Sequence, residues 1–115
     1  ISGDARYPVT RILFDEFGKG HEARSHSTLY RKILCELKLP TEVIKYNTQV
    51  NQESYAFVNI FHWLTKRAYK IDYYLGALTF SESVISWSFK CLVEACDRLG
   101  IQEKKYFTEH VNVDK

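Results

Sequence analysis

DYYLGALTFSESVISWSFKCLVEACDRLG, residues 72–100, is the stretch that decides the fold. Leu75, Leu78, Glu82, Ile85, Phe89 and Leu92 recur in steps of three and four, so they share one stripe of a single long helix over about residues 72–99. Gly100 is its stop signal, since glycine enters the left-handed turn that closes a helix without a steric penalty. Glu82 stands in the middle of the apolar stripe. A carboxylate buried there costs several kcal/mol unless it is paired, protonated or bound to a cation. Two readings stay open: a pair with Lys or Arg, or a metal ligand.

The remaining chain follows the same helical rule. Ile12, Leu13 and Phe14 belong to a short helical stretch interrupted at residues 17–20, where Gly18 and Gly20 flank Lys19. A second helix is expected to start near residues 21–23 and to carry His26, Leu29, Tyr30, Ile33 and Leu37 on one face. Pro8 and Pro40 are placed at helix starts. Val43, Ile44 and Tyr46 follow Pro40. Residues 55–64 are aromatic-rich and expected to be helical, although 57–61 alone would also pass for a buried strand. A last helix is expected from near Gln102. With no internal repeat and no hairpin dipeptide, the expectation is one all-α domain over residues 1–115.

Composition narrows the function classes. Apolar residues make up 45% and aromatics 15%, enough for a core and too much for disorder. Sixteen basic and fourteen acidic residues give +2, spread without a block, which argues against nucleic acid. No apolar run approaches the ~18 residues of a membrane span, and no signal peptide is evident. Cys35, Cys91 and Cys96 are odd in number and lack zinc spacing, so they read as buried thiols in a reducing cytoplasm. Methionine is absent even at position 1, and the chain stops at Lys115 in what reads as mid-helix. The expectation is a fragment.

His110 and Asp114 lie four residues apart, one turn above the other on a helix face. Such spacing alone is more often a solvated pair. His26 heads an apolar stripe, where a lone histidine is usually a satisfied core residue, and Glu16 on its own would be a solvated helix-end carboxylate. On an unbroken helix Glu16 and His26 would be about 15 Å apart, but the two glycines between them permit the chain to double back. Together Glu16, His26, Glu82, His110 and Asp114 come from three or four helices. Carboxylates and histidines projecting into a bundle core are how di-iron sites are built. Such oxygen and nitrogen donors suit iron or manganese, and the absence of Cys argues against structural zinc.

These residues also carry a resemblance. Asp15-Glu16-Phe17-Gly18-Lys19-Gly20, then Ser25-His26-Ser27-Thr28-Leu29-Tyr30 with Leu34, Leu37 and Leu39, resembles the first block of the haem-oxygenase-like iron-containing redox enzymes, the di-iron oxidases and oxygenases. Leu75-Gly76-Ala77-Leu78 leading to Glu82 is similar to their middle segment. Leu99-Gly100-Ile101, Tyr106-Phe107 and His110-Val111-Asn112-Val113-Asp114 are similar to their last. The order is kept from about residue 7 to the end.

The resemblance implies a seven-helix haem-oxygenase-like bundle, incomplete here at both ends, with two non-haem irons. Glu16, His26, Glu82, His110 and Asp114 would be metal ligands, and a further histidine three residues after Asp114 would fall beyond Lys115. It implies O2 activation and oxidation of a small organic substrate, by oxidative C–C cleavage, N-oxygenation or a related reaction. Tyr30, Phe57, Phe61, Trp63, Tyr73 and Tyr74 are candidate pocket linings, and Asp15 and His62 candidate supports for the ligands. A cytoplasmic enzyme is expected, with a homodimer left open. The competing reading is a non-catalytic helical module that binds a partner through aromatic surface and keeps a degenerate metal site. A metal-free relative holding an organic cofactor is a third, disfavoured by the stability cost of five inward carboxylates and imidazoles without a cation.

Overall fold

The computed structural model describes residues 3, 4 and 6–113; Asp114 therefore lies outside the described residues. Among these, five α-helices and no strand occur: α1 (Arg6–Glu16), α2 (His26–Glu36), α3 (Gln52–Arg67), α4 (Ile71–Leu99) and α5 (Lys105–Val113). Three short 3₁₀ turns, Gly18–Gly20, Glu22–Arg24 and Val43–Tyr46, occupy the connections. The all-α expectation holds. Residues 57–61, which could have formed a strand, lie inside α3, where Phe57 and Phe61 stack edge-on at 5.3 Å one turn apart.

The α1–α2 connection is closely packed at Gly18. Gly18 has φ +63, and a Cβ there would sit 2.5 Å from the backbone of Arg24 and Ser25. Only a residue without a side chain lets these two backbone segments touch, and their contact turns α2 back toward the end of α1. Ser25 then caps α2, its Oγ accepting from Thr28 N–H at 3.3 Å. This cap is why α2 starts at His26, later than the expected 21–23. Leu29 and Ile33 follow at one-turn intervals and are buried with it.

α4 runs as its stripe predicts and closes on Gly100 in the left-handed conformation, with Ile101 N–H donating to Cys96 O at 2.9 Å. α5 starts at Lys105 instead of near 102, because residues 101–104 make a non-helical return in which Lys104 N–H donates to Gln102 O at 2.9 Å. Glu36, the last residue of α2, holds that return by accepting from Gln102 N–H at 2.9 Å and Glu103 N–H at 2.7 Å. α5 then lies back along α4, with Phe89 against Phe107 and His110 at 5.3 and 4.9 Å between ring centroids. Glu36 thus ties the C-terminal end of α2 to the segment that leads into α5, and His26 at the other end of α2 meets His110 of α5.

Two further sequence expectations fail. Pro40 does not begin a helix: its carbonyl accepts from the Tyr46 hydroxyl at 2.6 Å, closing a loop that contains only one 3₁₀ turn. Cys35 and Cys91 are exposed and only Cys96 is buried. The reason is helical phase. Cys35 and Cys91 each lie two positions, about 200°, from the inward residues Ile33 and Phe89.

Candidate metal centre

The turn at Gly18 carries Glu16 back onto His26. His26 Nδ1–H donates to Glu16 Oε1 at 2.9 Å. From α5, His110 Nε2 approaches the same Glu16 oxygen at 4.0 Å, and the two imidazole rings lie 4.3 Å apart between centroids. One ligand atom each from Glu16, His26 and His110 falls within 4.8 Å of the others. Three separate helices thus supply one oxygen and two nitrogens around a single point.

Electrostatics follow from the contact. Glu16's carboxyl is held below its ordinary pKa, first by the hydrogen bond from His26, against partial burial, and then by the charges of His26 and His110. His26 is raised, first by its hydrogen bond to Glu16, against desolvation, with help from the charges of Glu16, Glu109 and Asp15. His26 is only 8% exposed, whereas the Glu16 side chain is 46% exposed, so the centre is closed on the helix side and open at the carboxylate. His110 Nδ1–H donates to the Tyr106 carbonyl at 2.7 Å, which turns Nε2 toward Glu16.

Aromatic rings form the inner wall. Tyr106 lies 5.7 Å from His26 and 4.7 Å from His110, backed by Tyr30 at 5.2 Å and Phe89 at 5.6 Å. Burial raises the Tyr106 hydroxyl's pKa, with smaller contributions from the charges of Glu16, Tyr30 and Glu82.

Glu82 stands outside the three-residue group. It lines a cleft of about 700 Å³ between α1 and α4, with Ile12, Leu75, Leu78 and Ser83 among its neighbours, and it acts on Tyr106 through its charge. Of the expected linings, only Tyr30 joins the wall. Phe57, Phe61 and Tyr74 border a different hollow with His62, between α3 and α4, while Tyr73 is exposed against Tyr69 and Trp63 is 57% exposed. Asp15 borders a small cavity of about 160 Å³ on the far side of His26 and pairs with Lys19 at 3.5 Å.

Sequence reasoning missed Tyr106, Phe89 and Glu109 as neighbours of the centre. Phe89 was legible as part of the α4 stripe, and Tyr106 stands one turn before His110 and so on its face. Nothing local marks Glu109.

The donor set fits iron. A carboxylate and two imidazoles, without thiolate, are the ligand types that iron and manganese accept, and both histidines have a protein group at the other ring nitrogen. Fold and site together define an all-α protein with a carboxylate–histidine cluster between helices. The chain belongs to the family described as iron-containing redox enzymes, whose pattern matches residues 1–115. It is 29% identical over 122 aligned positions to nitrosourea synthase of Streptomyces achromogenes subsp. streptozoticus. That alignment takes in 98% of this chain and 24% of the relative, so the chain spans about a quarter of the relative's length. No solved structure matches it. No described helix is long and apolar enough to cross a membrane.

Proposed function

We propose that this chain carries the iron-binding part of an O2-activating non-haem iron oxidase or oxygenase acting on a small organic substrate. The observation that carries this reading is the convergence of Glu16, His26 and His110 within 4.8 Å, in a chain of an iron-containing redox family. In this reading these three are ligands of a first iron. Glu82, beside the α1–α4 cleft, and Asp114, four residues after His110 in sequence and outside the described residues, are ligands of a second, with manganese as the alternative metal. Among the reaction types, N-oxygenation is favoured over C–C cleavage, because the relative is named for making a nitrosourea, a product with an oxidised nitrogen. Cytoplasmic residence is proposed from the three unpaired thiols.

Bound iron would supply the electrons and Lewis acidity for O2 chemistry. The chain's own residues do the rest. Glu16 and His26 hold a proton between Oε1 and Nδ1 that a cation must replace. The Tyr106 carbonyl fixes the orientation of His110. Phe89 and Tyr106 pack their rings against His110 on the inner side, and burial keeps the Tyr106 hydroxyl protonated. The cleft at Glu82, with Leu75, Leu78 and Ser83 on its walls, is the proposed seat of the organic substrate.

Anaerobic Fe(II) titration followed by O2 exposure tests the reading. The expected result is saturable iron binding with O2-dependent optical changes, both lost in His26→Ala. Variants His26→Ala and Glu82→Ala that bind iron as the parent does would sink the ligand assignment. The competing reading, a non-catalytic binding module, draws on the exposure of Trp63, Phe80 and Trp87. Iron that binds but never reacts with O2 would favour it.

A further inference from the structure

His26 is placed between two carboxylates, one for each ring nitrogen. Nδ1 meets Glu16 at 2.9 Å; Nε2 faces Glu109 Oε2 at 3.8 Å. A cation held between Glu16 and the histidines would be met by Nδ1, the nitrogen on that side, which would leave the ring's remaining N–H on Nε2. Nε2 then needs an acceptor. His110 already has its own, since its Nδ1–H donates to the Tyr106 carbonyl while Nε2 faces Glu16. For His26 the corresponding group is Glu109.

We propose that Glu109 is a positioning residue that accepts the Nε2–H of His26 and fixes that ring for metal binding through Nδ1. This rests on the iron reading given above. The 3.8 Å separation is about an ångström longer than a charge-assisted hydrogen bond. The space to close it exists, because His26 and Glu109 both border the small cavity of about 160 Å³ that also touches Asp15, Lys19, Arg24 and Asn112. Lys105, one turn earlier on α5, pairs with the other Glu109 oxygen at 3.7 Å, leaving Oε2 for the histidine. Glu109 neighbours His110 in sequence but belongs, by contact, to His26 on another helix. One turn of α5 therefore provides both a ligand and the support of its partner.

Co(II) and Fe(II) affinities of the full chain are compared anaerobically with those of Glu109→Ala, Glu109→Gln and Lys105→Ala, with circular dichroism on each to confirm folding. Glu109→Ala is expected to bind about 10- to 100-fold more weakly. Glu109→Gln, whose amide oxygen still accepts, recovers part of that loss, and Lys105→Ala stays within about threefold of the parent. Nitrogen-15 spectra of the Zn(II)-loaded chain are expected to report His26 metallated at Nδ1 and protonated at Nε2, with the Nε2–H exchanging faster in Glu109→Ala. A folded Glu109→Ala that binds Co(II) as tightly as the parent overturns the proposal, as does a His26 metallated at Nε2. A parent chain that binds neither metal overturns the iron reading and this inference together, whereas a parent that binds them with an indifferent Glu109 overturns this inference alone.

Discussion

At the scale of single residues, Glu16 and His26 make the chain's response to pH. Glu16 is lowered and His26 raised, each chiefly by the hydrogen bond they share. The His26 contribution is complete below the ordinary histidine pKa of about 6.5 and is lost as pH rises through its raised value. The Glu16 contribution is complete above the ordinary carboxyl value of about 4.3 and is lost as pH falls through its lowered one. The ionic pair therefore stabilises the metal-free chain most between those limits. Urea unfolding of parent and His26→Ala should differ more at pH 5.5 than at pH 9. Metal affinity moves the other way, rising from pH 5.5 to pH 8 as the shared proton becomes easier to displace, which calorimetric titration at several pH values would measure. Both residues were legible as candidates, Glu16 before two glycines and His26 at the head of an apolar stripe. Glu109 was not. Its partner stands 83 positions earlier in sequence, and no periodicity reaches across that distance.

Among the elements, the α1–α2 turn and the return before α5 decide whether the centre forms. Gly18→Ala adds both a left-handed backbone penalty and a Cβ 2.5 Å from Arg24 and Ser25 backbone. It should cost about 2 kcal/mol or more and reduce Co(II) binding at least tenfold, because α2 can no longer approach Glu16. Gly20→Ala, at φ +85 but facing open space, should cost about 1–2 kcal/mol and leave Co(II) binding near the parent's. Unfolding curves and titrations on the two variants separate close approach from backbone strain. Glu36→Ala should speed amide exchange at Gln102 and Glu103, whose N–H groups lose their carboxylate, and loosen α5 at its start. Element type was readable from the steps of three and four in α2 and α4. Boundaries were less so: Ser25 capping moved one helix start by several residues and the Glu36 tether moved another, and both are interactions of particular side chains with backbone N–H groups.

Across the whole molecule, the described helices are loosely gathered. The radius of gyration is 15.7 Å, against the about 13 Å usual for a compact domain of some 100 residues. Leu29, Ile33, Leu64 and Cys96 are the buried apolar residues, while Trp87, Phe80 and Leu99 are 69–75% exposed. The most extensive helix packing is α5 on α4, whereas α1 touches α2 and α5 little beyond the candidate metal centre, so a bound cation would add a tie that the thin core does not supply. A cation bound there should therefore raise the melting temperature strongly. At a hundredfold excess over Kd the gain is about 2.7 kcal/mol, or roughly 10 °C for a chain of this size, and His26→Ala should abolish it. Differential scanning with Mn(II) or Co(II) measures both. The sequence by itself determined the helical class, the faces of α2 and α4 and the residue types suited to iron, because helical period and ligand chemistry are written in local spacing. Which of those residues meet was decided by tertiary structure. The backbone contact at Gly18 and the antiparallel seating of α5 on α2 brought Glu16, His26 and His110 to one point and put Glu109 behind His26, and contacts between distant segments leave no period in the chain.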